Sequence, residues 1–124
     1  TWMYKKKADY TNTFVFLMNE KIIDHKMYND VDFKLWKIKW VKRLNMFGAT
    51  NDKSMKLMCS TNPMVIPRNH KIEESLMLAD DGDLTLFYKV IKILKNPYHV
   101  NKDDFEFMST TLYSDKKYIT FCGT

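Results

Sequence analysis

Between residues 62 and 98 the chain is punctuated so firmly that it has room for two consecutive helices and little else. Proline at 63 pushes Asn62 out of the helical region, so whatever helix precedes it must stop there. Pro67 then suits a first-turn position, and the spacing predicts a helix over 67–81 with Ile72, Leu76 and Ala79 on its buried side, closed by Asp80-Asp81-Gly82. Asp83 reads as the cap of the next helix, over 83–95, whose stripe is Leu84, Phe87, Ile91 and Leu94, and Asn96-Pro97 ends it. A connection this short forces the pair to lie antiparallel or sharply angled. Arg68 and Asn69 sit at the entry. There an Asn side chain can satisfy backbone groups and an Arg can reach carboxylates on another element or domain, which favours fixing the bend over touching nucleotide or substrate.

Upstream, the same logic gives a mainly α fold of four to five helices in a single domain. The chain has 124 residues, 45% of them hydrophobic and 15% aromatic, enough apolar material for one core but not comfortably for two. Tyr10, Phe14, Leu17 and Met18 share one helical face in a segment near 9–27. The clearest periodicity runs over 31–47, where Phe33, Trp36, Trp40, Leu44 and Phe47 advance by three or four with basic residues between them; Asn29, Asp30 or Asp32 can cap its start and Gly48 can stop it. A short helix over 53–60 follows, in which Cys59 reads as a small buried hydrophobe. Residues 96–124 are weakly periodic and read as an irregular tail, with a short turn open to Asp103–Met108 and a β-prone stretch, Tyr118 to Phe121, docking in extended form on a neighbouring surface.

The chemistry the sequence excludes is as informative. Its three glycines are more than 30 residues apart, so neither kind of glycine-rich phosphate loop can be built, and no kinase-type catalytic loop or metal-binding triplet is present. His25, His70 and His99 lack partners at metal-ligand spacing, and Glu73-Glu74 and Asp80-Asp81 are adjacent pairs whose members point in different directions on a helix. No catalytic, cofactor-binding or metal residue is therefore assigned. The net charge of +5 comes from a short cluster, Lys5-Lys6-Lys7, and from Lys34, Lys37, Lys39, Lys42 and Arg43, which fit a solvated helix face flanking a buried stripe; nucleic acid is disfavoured because no groove-reading motif accompanies them. Apolar runs fall far short of the roughly 20 residues that cross a bilayer, so no membrane partner is expected. Cys59 and Cys122 match no zinc or disulfide pattern.

The ordered markers resemble the selenoprotein O family, of the YdiU type, at its C-terminal end. Asp9-Tyr10-Thr11 with Phe14 and Leu17, then Trp36 to Arg43, are similar to that family's helices; the most specific signature is Asn62, Pro63, Pro67, Arg68, Asn69, His70 and Glu73, followed at the expected distances by Gly82-Asp83 and Asn96, Pro97 and Tyr98. These signature residues are read as structural. The resemblance implies a pseudokinase-like enzyme that binds ATP with Mg²⁺ or Mn²⁺ and attaches AMP to Ser, Thr or Tyr hydroxyls of client proteins. The catalytic motifs would lie upstream of Thr1, and the kinase-like domain of the same parent chain would be this segment's partner. Cys122 stands where the family carries a C-terminal cysteine or selenocysteine linked to redox control. An equally open alternative for Cys122 is a plain exposed thiol.

Two further readings stay beside this one. An autonomous helical module could recognise protein or nucleic acid through the basic helix; an independent small enzyme has no supporting constellation. Because Thr1 is not an initiator methionine, a piece cut from something longer is expected, from an intracellular protein that is cytoplasmic if bacterial and mitochondrial if eukaryotic.

Overall fold

A computed structural model describes residues 1–23, 26–48 and 51–110, residue 51 by its backbone alone. His25, the β-prone stretch 118–121 and Cys122 lie outside the described residues. The fold is helical, with no strand among the described residues: α1 (Trp2–Lys6), α2 (Tyr10–Met18), a 3₁₀ turn Met27–Asn29, α3 (Val31–Met46), α4 (Asn51–Thr61), α5 (Asn69–Asp80), α6 (Thr85–Leu94) and a second 3₁₀ segment Lys102–Met108. No helix among them is long and apolar enough to cross a membrane. Where a single core is expected, the chain separates into two compact units, Thr1–Met64 and Val65–Thr124.

The first unit is built on aromatics. Phe16, Leu17, Tyr28 and Phe33 are buried together, with Trp2, Phe14, Ile23, Met27, Trp40 and Met58 packed against them. Phe16 and Tyr28 stack with ring centres 3.9 Å apart, and Trp2 lies 4.8 Å from Phe33. The Tyr28 hydroxyl, taken into this core, donates to Thr13 Oγ1 at 3.4 Å, while the Thr13 hydroxyl donates to the Asp9 carbonyl at 2.6 Å, so the buried polar atoms are satisfied. Burial pushes the Tyr28 phenol above its ordinary range.

Asp30 ties three elements to this core. Its carboxylate accepts the backbone N–H of Asp32 at 3.0 Å, capping α3, and the Trp2 indole N–H at 3.0 Å, and it pairs with Lys6 at 2.6 Å. The hydrogen bond from Lys6 is the main reason its carboxyl is held below the usual carboxylate range. Neither α1 nor the part played by Trp2 is foreseen in the sequence, because a helix of five residues leaves no periodic trace.

Helix lengths and buried faces differ from expectation in defined ways. The helix expected over 9–27 ends at Met18, and Asn19 and the 3₁₀ turn redirect the chain so that Tyr28 enters the core. On α2 the buried residues include Val15, Phe16 and Leu17, while Tyr10 is exposed. On α3 only Phe33 is buried; Trp40 is partly covered, and Trp36 and Phe47 of the expected stripe are exposed. Gly48 follows with φ of 65°, a conformation that costs glycine nothing, and its N–H donates to the Asn45 carbonyl. α4 packs on α2 and α3 through Met58 and leaves Cys59 exposed, correcting the expectation of a buried thiol.

In the second unit α5 and α6 pack directly on each other through a turn at Gly82, whose φ is 91°. Asp83 accepts the Thr85 N–H at 2.9 Å and starts α6. The buried positions are Ser75 on α5 and Val90 and Ile93 on α6, whereas Leu76, Leu84 and Ile91 of the expected stripes are exposed. The expected irregular tail contains the ordered segment Lys102–Met108, which inserts Phe107 and Met108.

Truncating Phe33 to Ala is expected to lower the stability of residues 1–64 by about 3–5 kcal/mol, because it empties the centre of the aromatic cluster. Tyr4→Ala, at an exposed site of α1, is expected to stay within about 0.5 kcal/mol. Urea unfolding followed by tryptophan fluorescence distinguishes the two, and equal effects would contradict this account of the core.

Candidate functional site

The signature residues fall into three structural groups. Asn62 closes α4: its backbone N–H and its side-chain amide both donate to the Met58 carbonyl, at 2.9 and 3.0 Å, and Pro63 prevents continuation. Arg68 is the N-cap of α5, with extended backbone (φ −97°, ψ 125°), and its carbonyl accepts the N–H groups of Lys71 and Ile72. The helix thus begins at Asn69 rather than at Pro67, which occupies the extended approach. Arg68, at the N-cap position, makes no side-chain cap hydrogen bond to α5. Asn96 and Pro97 turn the chain out of α6: the His99 N–H donates to the Asn96 carbonyl, and the Pro97 carbonyl accepts the Val65 N–H at 3.3 Å. That one bond brings the two halves of the signature together. Asn69, Glu73 and Tyr98 are exposed on this unit. His70, half-buried, has its imidazole held below 6.5, first by desolvation and then by the charges of Lys71 and Arg68.

Beside this junction lies an arrangement that the sequence reading missed. Lys71 of α5 and Lys89 of α6 both approach the buried ring of Phe107, their ammonium groups 5.5 and 5.0 Å from its centre. Lys71 pairs with Glu74 at 2.9 Å and Glu106 at 3.6 Å; Lys89 pairs with Asp104 at 3.1 Å and Glu106 at 3.3 Å. Hydrogen bonds to Glu74 and to Asp104, respectively, are the leading reasons that both ammonium groups titrate above their ordinary value. The 3₁₀ segment is therefore pinned across α5 and α6 by one aromatic side chain and a ring of charges. The signal available in the sequence was the acidic pair Asp103-Asp104 with Glu106 alternating with Phe105 and Phe107. Magnitudes say the ring dominates: burying a phenylalanine is worth about 1.5–3 kcal/mol, whereas partly exposed ion pairs contribute about 0–1 each. The cleft beneath it, lined by Val65, Arg68, Ile72, Val90 and Phe107 among others, has about 10 Å³ of room, space for one water at most.

The larger opening is in the first unit, about 330 Å³, bounded by Phe16, Glu20, Tyr28, Phe33, Lys34 and Lys37. Its two flanks are joined by an ion pair between Lys37 and Glu20, and Lys37 also lies over the Phe16 ring at 5.6 Å. This accounts for one charge of the basic helix as part of the fold. The residues described do not fit a nucleotide and its metal. Among them no three His, Cys, Asp or Glu side chains converge, and the two described glycines, Gly48 and Gly82, each close a helix instead of lining a loop. No step of phosphate chemistry is assigned to them.

The proteins this chain is similar to are nucleotidyltransferases. The chain is 68% identical over 123 residues to the protein nucleotidyltransferase YdiU of Pelagibacter ubique, which covers 99% of this chain and 26% of that protein. It is 40% identical over 122 residues to YdiU of Clostridium perfringens strain 13 and 38% identical over 123 residues to YdiU of Bacillus mycoides, in each case 98% of the chain and 25% of the relative. Its sequence is thus YdiU-type sequence of the selenoprotein O family, and it spans about a quarter of the length of these curated relatives. No family model matches the chain. No solved structure matches it.

Phe107→Ala is expected to cost the second unit about 3–5 kcal/mol and to release the 102–108 segment, while Glu106→Gln costs under about 1 kcal/mol. Denaturant unfolding of the two variants checks the ranking, and a Glu106→Gln loss equal to that of Phe107→Ala would contradict it. Because the neutral form of His70 is favoured in the fold, its contribution to stability is complete above 6.5 and lost as pH falls through its lower folded value. An NMR titration should place the His70 midpoint below 6.5, and a midpoint above 6.5 would contradict the burial argument.

Proposed function

We propose that this chain is the C-terminal helical accessory segment of a selenoprotein O-type protein adenylyltransferase, inactive alone and packed on the kinase-like domain of its own parent chain. The observation that carries the reading is the 68% identity over 123 residues to a protein nucleotidyltransferase of which this chain spans 26%. In the reading, the parent binds ATP with Mg²⁺ or Mn²⁺ and moves AMP onto Ser, Thr or Tyr hydroxyls of client proteins. The signature at 62–73 and 96–98 holds two helix ends in place beneath that chemistry and does not take part in it. Cys122 is the candidate for thiol-based control, since a thiolate attacks a disulfide sulfur and displaces its partner sulfur as a thiolate, which allows exchange with a disulfide of the parent. The parent works inside the cell, in the cytoplasm if bacterial and in mitochondria if eukaryotic.

The test is transfer from labelled ATP by the full-length protein in the presence of Mg²⁺ or Mn²⁺. Label from the α-phosphate should be retained on protein and label from the γ-phosphate should not; the reverse would make the parent a kinase, and no transfer of either would remove the reading. Residues 1–124 alone should show no heat of binding with ATP and metal. Micromolar binding by that segment would contradict the division of labour proposed.

A further inference from the structure

α3 carries two apolar stripes on opposite sides, and the described residues of the first unit cover only one of them. Phe33, Trp40 and Leu44 face the aromatic cluster or its margin. At 100° per residue, Val31, Leu35, Ile38 and Met46 lie about 180° around the helix from them, spaced by four, three and eight residues. All four are open to solvent, at 69%, 53%, 65% and 77% exposure. Position 42 completes the row with a lysine, whose methylene stem extends an apolar ridge while its ammonium group reaches past it. A helix apolar on both sides is the pattern of one enclosed within a larger core, because a surface helix gains nothing from a second stripe. Scattered exposed leucines are ordinary, but four exposed apolar residues on one side of a helix mark a contact surface.

We infer that the stripe Val31, Leu35, Ile38 and Met46 is buried in the native protein by polypeptide of the same parent lying outside these 124 residues. This rests on the part of the proposed function that makes the chain a segment of a longer protein, and it adds the face on which that longer protein closes. The argument for this occupant is length: the relatives matched over 98–99% of the chain are about four times as long, so three-quarters of the polypeptide remains to cover it. The row is about 22 Å long over 15 steps of helix, a length that one helix or about five adjoining strands can cover. The covering surface needs apolar side chains along this length and an oxygen acceptor near Lys42.

The experiment is thiol labelling of full-length protein carrying Ile38→Cys, read by mass spectrometry of the peptide containing position 38. Labelling should be at least roughly 100-fold slower in native than in urea-unfolded protein, and independent of protein concentration. Labelling at the unfolded rate would overturn the inference. Protection that appears only as the protein dimerises would overturn it as well, in favour of a second copy on this face. If Ile38→Cys does not fold, Met46→Cys near the open end of the row gives the same readout, and its expected protection is the same. AMP transfer by the same preparation separates the two proposals: a protected position 38 without transfer removes the enzymatic reading alone, and transfer with a freely labelled position 38 removes this inference alone.

Discussion

The constraint on which this structure turns is that α3 has an apolar row on each side. One row meets the aromatic cluster of Phe16, Tyr28 and Phe33, which draws α1, α2, the 3₁₀ turn and α4 around it. The other, Val31 to Met46, is open to solvent among the described residues. Asp30 fixes where the helix begins and joins Trp2 and Lys6 to that point. A sixteen-residue helix committed on both sides is costly for an independent domain of 64 residues, which has little core to spare, and natural for an internal part of a larger one.

The second unit obeys a different rule. Its helices are short and its core is small, so closure depends on a segment that is not an α-helix at all. Phe107, held between two lysines that are themselves paired with Glu74, Asp104 and Glu106, converts the run after α6 into a third wall. Two of the signature residues enter this arrangement through their backbones. Arg68 starts α5, Pro97 receives the Val65 N–H, and the exposed side chains of Asn69, Glu73 and Tyr98 are left pointing away from the unit's interior.

Helix ends were the legible part of the sequence because single residues enforce them. Pro63, Gly48, Gly82, Asp30 and Asp83 each act within one turn, and each stands at or beside the boundary it suggests. Buried faces were less legible, since periodicity gives a spacing but not a direction. On α3 the Trp stripe has a second apolar row opposite it, and Phe47 belongs to the first by spacing yet lies exposed, beyond the core it would join. Trp2, Tyr28 and Phe107 could not be found by pattern because each sits on a turn or a helix too short to repeat, and their places depend on contacts from distant parts of the chain. Cys59 was misplaced for the same reason: its neighbours Met58 and Leu57 point one inward and one outward, and only the packing of α4 decides which way the thiol faces.

Relatives about four times as long and a helix with an exposed apolar row support the proposal that these residues complete their packing as part of a longer polypeptide. Amide hydrogen exchange over 31–46, compared between the full-length protein and residues 1–124 alone, addresses it most directly. The account predicts exchange in this helix at least about tenfold slower in the full-length protein. Equal protection in the two would show that the first unit needs nothing beyond itself, and would contradict the account.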